Sequence, residues 1–154
     1  MNLVYELRVY GQPGPQGSKR HLGGGVMVEM SRKVKPWRQG VRSDAIDQRG
    51  ARPPLDEPLL VEMVFTAYRP KSHYRTGRNS ALLRPTAPAR PTAPPDLSKL
   101  ARSTEDAITE SGIWRDDALV VEYLRLAKVF ALEDPDALDA PGAVIRIYTL
   151  GAPA

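Results

Sequence analysis

The chain has 154 residues, of which 42% are hydrophobic and 26% charged, the make-up of one globular domain with enough apolar side chains to build a core. It has no cysteine, which excludes disulfides and thiolate metal sites and makes a cytoplasmic location the expectation. No apolar run approaches the roughly 20 residues of a membrane-spanning helix, and the opening MNLVYELRVY alternates where a signal peptide would show a basic and then an apolar block.

The net charge of +4 conceals an asymmetry, because residues 1–102 hold 18 Lys/Arg against 8 Asp/Glu and residues 103–154 hold 4 against 10. A basic body joined to an acidic region suits a polyanion held against a metal-binding centre. It equally suits two solvated faces of opposite sign.

Residues 2–10 place Leu3, Tyr5, Leu7 and Val9 on one side, the period of a strand. The segment GQPGPQGSKRHLGGG (11–25) reads as a loop with a basic cluster. Its glycines lack the lysine and the strand-to-helix setting of a phosphate cradle. Residues 26–30 suit a short strand. Pro36 at a first helical turn, followed by Trp37, Val41, Ala45 and Ile46, predicts a helix ending near Gly50. PLLVEMVFTAY (58–68) is the most apolar strand candidate. The polar stretch from Arg69 to Pro95 then predicts a mobile, Pro- and Arg-rich loop, in which RPTAP occurs at 84–88 and again at 90–94 as a polyproline spacer.

Leu97, Leu100, Ala101, Thr104 and Ile108 are spaced by three and four and define one helical face, with Gly112 as the stop. A strand over 118–130, an acidic turn (EDPDALDAPG) and a last strand over 143–150 complete the chain. The expected class is α+β, a small mixed sheet packed by two or more helices in a single domain spanning 1–154.

At 100° per residue, Ser98, Arg102, Glu105, Asp106 and Thr109 fall together opposite the apolar face. Asp96 stands at the helix entry, and Asp116 and Asp117 stand where WRDDALVVEY turns back into the sheet. A helix start, a helix face and a strand start would therefore converge with several carboxylates and one guanidinium. Magnesium prefers a few carboxylates with water and substrate phosphate completing its shell. It activates water without a His or Cys nucleophile, and His21 and His73 both lie in basic loops. Each residue also has a plainer use: Asp96 as an N-cap, Arg102 and Asp106 as a surface pair, Asp116 and Asp117 as a turn.

The block PDLSKLARSTEDAITESGIWRDDALVVEY resembles the RusA-type Holliday junction resolvases, endonucleases common in phages and prophages. The matching positions are Asp96, Leu100, Arg102, Asp106, Trp114, Asp116, Asp117, Val120 and Val121, and GQPGPQGSKR and KVKPWR look like the family's basic N-terminal region. The resemblance implies a RusA-like fold and a homodimer that cuts four-way or branched DNA symmetrically with Mg²⁺ or Mn²⁺. It implies Asp96, Arg102 and Asp117 as catalytic residues and Asp96, Asp106, Asp116 and Asp117 as metal ligands.

Lys19, Arg20, Lys33, Lys35, Arg38, Lys71, Arg75, Arg78 and Lys99 would contact the DNA backbone. The arginines of the 69–95 loop would wrap the DNA arms, or form a solvated loop. Two positions depart from the signature: Ser98 stands where the family has its second acid, and Arg102 where it has lysine. Ser98 would then hold a metal-bound water, or Asp106 would move in to compensate. Failing both, the chain would bind junctions with weak or no cleavage.

Overall fold

The computed structural model describes residues 1–17, 19–21, 27–29 and 32–151, without the side chains of 18–31. Strands β1 (Asn2–Tyr10), β2 (Lys19–His21) and β3 (Met27–Glu29) come first, then helix α1 (Val34–Arg49) and β4 (Leu59–Ala67). Helix α2 (Leu97–Ser111), β5 (Val120–Phe130) and β6 (Gly142–Thr149) follow. A four-stranded sheet has the order β1-β6-β4-β5. Its β1–β6 and β6–β4 pairs are antiparallel and its β4–β5 pair is parallel. This is the expected α+β class. The expected loop over 11–25 is in part a hairpin, because Lys19–His21 pairs with Met27–Glu29.

One face of the sheet carries Tyr5, Leu7, Val9, Val61, Met63, Phe65, Ile145 and Ile147 into the main core beneath both helices. Successive strand side chains point to opposite faces, so a slip of one residue would carry this whole set out of the main core. Helix α1 contributes Val34, Trp37, Val41 and Ala45. Ile46, expected among them, is 39% exposed, because the buried stripe of α1 is one residue wide at that turn. Helix α2 buries Leu100, Ala101, Ser103, Thr104, Ala107, Ile108 and Ser111. These side chains are mostly small, so the two helices approach closely. Their polar members are satisfied by other parts of the chain: Trp37 Nε1 donates to Thr104 Oγ1 at 3.0 Å, and Ser103 Oγ donates to the Gly14 carbonyl at 2.6 Å. Gly14 itself passes so near the start of α1 that a Cβ there would lie 2.2 Å from the Lys33 carbonyl oxygen. Gly112 ends α2 in the left-handed conformation at φ 79°, as expected of a stop.

The other face buries a smaller cluster of Val64, Ala127 and Val129 and is otherwise organised by charge. Arg146 of β6 donates to Glu6 of β1 at 2.9 Å, to Glu62 of β4 at 3.0 Å and to Asp136 at 2.9 Å, while its own side chain is 17% exposed. Arg125 of β5 donates to both oxygens of Asp134 and to Asp136 at 2.7–2.8 Å. That pairing holds the Asp134 carboxyl down at about 2. The acidic turn after β5 is thus a clamp across three strands, and Leu138 closes it with a backbone bond to Thr66 Oγ1 at 2.9 Å.

The segment between β4 and α2 is fastened at both ends. Arg69, its side chain 4% exposed, donates to both oxygens of Glu133 at 2.6 and 2.8 Å and to the Pro88 carbonyl at 2.8 Å. Its guanidinium also lies 4.1 Å from the centre of the Phe130 ring. Lys128 Nζ donates to the carbonyls of Ala93 and Pro95, both at 3.0 Å.

Replacing Arg146 by Ala strips Glu62 of its cation and leaves Glu6 with Arg8 and Asp136 with Arg125 alone. The expected cost is roughly 2–4 kcal/mol, as for a buried ion pair broken from one side. Urea unfolding at neutral pH reads it, and a loss below about 0.5 kcal/mol contradicts the clamp.

Candidate active site

Acidic side chains gather where α2 faces the start of β5. Trp114, 1% exposed, anchors the connection by donating from Nε1 to Thr109 Oγ1 at 2.7 Å. The chain then turns through Asp116, whose Oδ1 accepts from the Ala118 amide at 2.8 Å, into a 3₁₀ turn over Asp117–Leu119. Asp116 therefore does serve as a turn-former, one of its two expected uses. That bond engages Oδ1.

The aspartate pair lies against the middle of α2. Partial desolvation, its hydrogen bond with Asp116 and the charges of Asp116 and Asp106 all push the Asp117 carboxyl up. Glu105, half-buried, is pushed up by burial first and then by Asp117 and Asp106. A hydrogen bond donated by the Tyr123 hydroxyl and the Arg102 charge act the other way. Tyr123, in turn, is raised by its burial and by Glu105. Arg102, Glu105, Asp106, Asp116, Asp117 and Tyr123 thus share one electrostatic neighbourhood, in which negative charge outweighs the single guanidinium.

Asp96 is elsewhere. It is the N-cap residue of α2, its carboxylate caps no backbone amide, and Lys99 Nζ lies 3.7 Å from its Oδ2. Besides burial, the main influences on Asp117 and Glu105 come from Asp116, Asp106, Arg102 and Tyr123, and not from Asp96. Nine residues separate it from Glu105, about 13 Å along a helix that rises about 1.5 Å per residue. Ser98 and Arg102 are both exposed on the intervening turns. Within one chain, α2 therefore carries acids toward two ends: Asp96 at its start, and Asp106 with the aspartate pair beyond its middle. Among the described residues, no three acidic or histidine side chains are arranged to hold a metal ion.

Tyr123 was not singled out by sequence, and Glu105 was placed on the polar helix face without a role as ligand or catalyst. Only the pairing of β5 beside β4 brings the Tyr123 hydroxyl over Glu105. The expected phosphate contacts fare differently from one another. Lys33, Lys35, Lys71, Arg75 and Arg78 are exposed, and Lys99 stands beside Asp96. Arg75 Nε donates to the Leu83 carbonyl at 3.1 Å. Arg38 bridges α1 to α2 through Glu110 and reaches Gln16 at 3.4 Å, so part of its fork is committed inside the protein. The side chains of Lys19 and Arg20 fall outside the described residues.

A family model described as endodeoxyribonuclease RusA matches residues 10–147, almost the whole chain. The chain belongs to the RusA endodeoxyribonuclease family. No curated protein matches it. Membership places it among endonucleases that resolve Holliday junctions, and the matched span contains both helices, the aspartate pair and the 69–95 segment. No helix among the described residues is long and apolar enough to cross a membrane.

Replacing Glu105 by Gln tests the neighbourhood directly. A carboxyl whose folded pKa exceeds its unfolded value of about 4.3 supports folding below that value and loses this support as pH rises through the folded pKa. Gln has no such loss. In the absence of divalent ions, Glu105→Gln should melt a few degrees above the parent protein at pH 7, and the difference should shrink toward pH 4. A variant that melts lower at pH 7 contradicts the repulsion.

Proposed function

We propose that this RusA-family chain is a divalent-cation-dependent nuclease that resolves four-way DNA junctions as a homodimer. The observation that carries the reading is the concentration of Glu105, Asp106, Asp116 and Asp117 around one guanidinium, in a chain whose first 102 residues are strongly basic. Carboxylate oxygens are the donors that Mg²⁺ and Mn²⁺ take, and like charges crowded without a compensating cation favour its entry. The donor chemistry fits such an ion, and Asp116, Asp117, Asp106 and Asp96 are the residues that would hold it. Once bound, the ion would activate water and neutralise charge on the scissile phosphodiester.

The chain's own groups divide the remaining work. Tyr123 holds Glu105 on the protein side of the neighbourhood. Arg102, exposed on α2, would pair with a phosphate oxygen. Its guanidinium stays charged, so it stabilises the phosphate without moving a proton. Lys33, Lys35, Lys71, Arg75 and Arg78 supply backbone contacts that read no sequence.

Two-fold symmetry suits a junction cut at two equivalent strands. It also answers the separation of Asp96 from Asp117, since a second copy running the opposite way sets the start of one α2 beside the aspartate pair of the other.

Incubating the purified protein with a synthetic four-way junction in Mg²⁺ or Mn²⁺ should give paired nicks, and Asp117→Asn should lower the rate by at least about 100-fold, in line with loss of a charge-stabilising group. Absence of nicking in both metals rejects the enzyme. Mixing Asp96→Asn with Asp117→Asn should restore nicking to one strand if the two acids act across the dimer, and should restore nothing if each chain forms its own site.

A second reading rests on Ser98, exposed on the first turn of α2 where the family has an acid. A hydroxyl is a weaker ligand than a carboxylate, so the chain would bind junctions in a salt-sensitive way and cut them slowly. Ser98→Asp should then raise the cutting rate by about tenfold or more while leaving junction affinity within about threefold, a gain worth about 1.4 kcal/mol or more in the barrier.

A further inference from the structure

The start of α2 has a second feature beside Asp96. Pro95 and Leu100 form one wall of a cavity of about 180 Å³ whose other walls include Phe65 at the end of β4, Phe130 at the end of β5 and His73 from the intervening segment. The lining is mainly apolar. A dry cavity of about 150 Å³ lined by aliphatic and aromatic side chains accepts a benzene ring, so this one has room for an aromatic ring bearing small polar groups.

Its walls are held in place. The His73 ring stands edge-on to Phe130, with centres 5.5 Å apart, and Arg69 covers Phe130 as well. Lys128, another wall residue, is tied to the carbonyls of Ala93 and Pro95. A pocket fastened in this way does not collapse when empty. Its surroundings are cationic: Lys128 lines it, Lys71 is exposed on the same short turn as His73, and Lys99 lies one turn into α2. An uncharged apolar guest gains nothing from that charge, whereas an aromatic ring attached to a phosphate backbone gains from both wall and rim.

The geometry points to this cavity as the seat of one unstacked nucleobase, belonging to the DNA strand whose phosphate lies at Asp96. The inference rests on the nuclease reading and adds the point at which the strand is gripped. No bond is made or broken. The base leaves its stack, which costs least where pairing is already interrupted, as at the centre of a junction.

The test combines lesions on both partners. Junctions carrying a single abasic residue at successive positions around the cut are incubated with the parent protein and with Ala93→Phe, which fills the cavity and keeps the carbonyl that Lys128 holds. Ala67→Leu, filling it from β4, is the second variant, and thermal melting checks that each is folded. One abasic position should slow cutting by the parent about tenfold, within the range expected for losing one base stacked on aromatic groups. The filled variants should cut the intact junction about tenfold more slowly and respond to that same abasic position by less than twofold, because the two lesions remove one contact. If the parent cuts normally and no position is sensitive, or if the two losses multiply, the cavity assignment falls and the nuclease reading stands. If the parent neither binds nor cuts the intact junction, both fall together.

Discussion

The parallel pairing of β4 with β5 is the constraint from which the rest follows. Two neighbouring strands that run the same way require a connection that returns along the sheet, and here α2 supplies it. The helix therefore has to span the sheet, and its apolar stripe has to lie over the core. Its two ends are set apart by its own length. Asp96 enters at one end and the chain reaches Asp116 and Asp117 only after leaving the other. What the sequence compresses into 22 positions the fold spreads along a helix, and the acids that end up together are those the turn after Gly112 folds back onto it.

Charge in this chain divides into two kinds. The acidic balance of residues 103–154 looks, in sequence, like a single reservoir for a cation. In the fold, Glu133, Asp134 and Asp136 are committed to Arg69, Arg125 and Arg146, where they hold strands and the long connection together. These pairs lower the carboxyls. Glu105 and Asp117 are shifted the opposite way, by partial burial beside like charge. The sign of the shift separates carboxylates that stabilise the fold from those that burden it, and groups held against burial and like charge are the ones a site would recruit.

Much of the architecture was legible because its signals are periodic. The spacing over 97–111 and the glycine after it set out α2, and alternation set out β1. The hairpin of β2 and β3 was not legible, since glycine and proline around it hide any strand pattern. Ser103 is buried for a reason no periodicity carries: the Gly14 carbonyl comes from far away in the chain to meet it. Glu105 has a polar identity and a helix position that read as solvent-facing, and its burial depends on Tyr123 arriving from another element. The resemblance carried by the 95–123 block reached the family correctly, but linear proximity could not reveal that Asp96 and Asp117 belong to different ends of one helix.

Gly14 has a further consequence. A methyl group there would press on the Lys33 carbonyl, so any other residue would lever the chain away from the start of α1 and break the Ser103 bond. The path of the chain between β1 and α1 is thus steered by a residue with neither charge nor side chain. An uncharged methyl group at this point would shift the backbone of Lys33, a proposed phosphate contact, while leaving every ionic group intact.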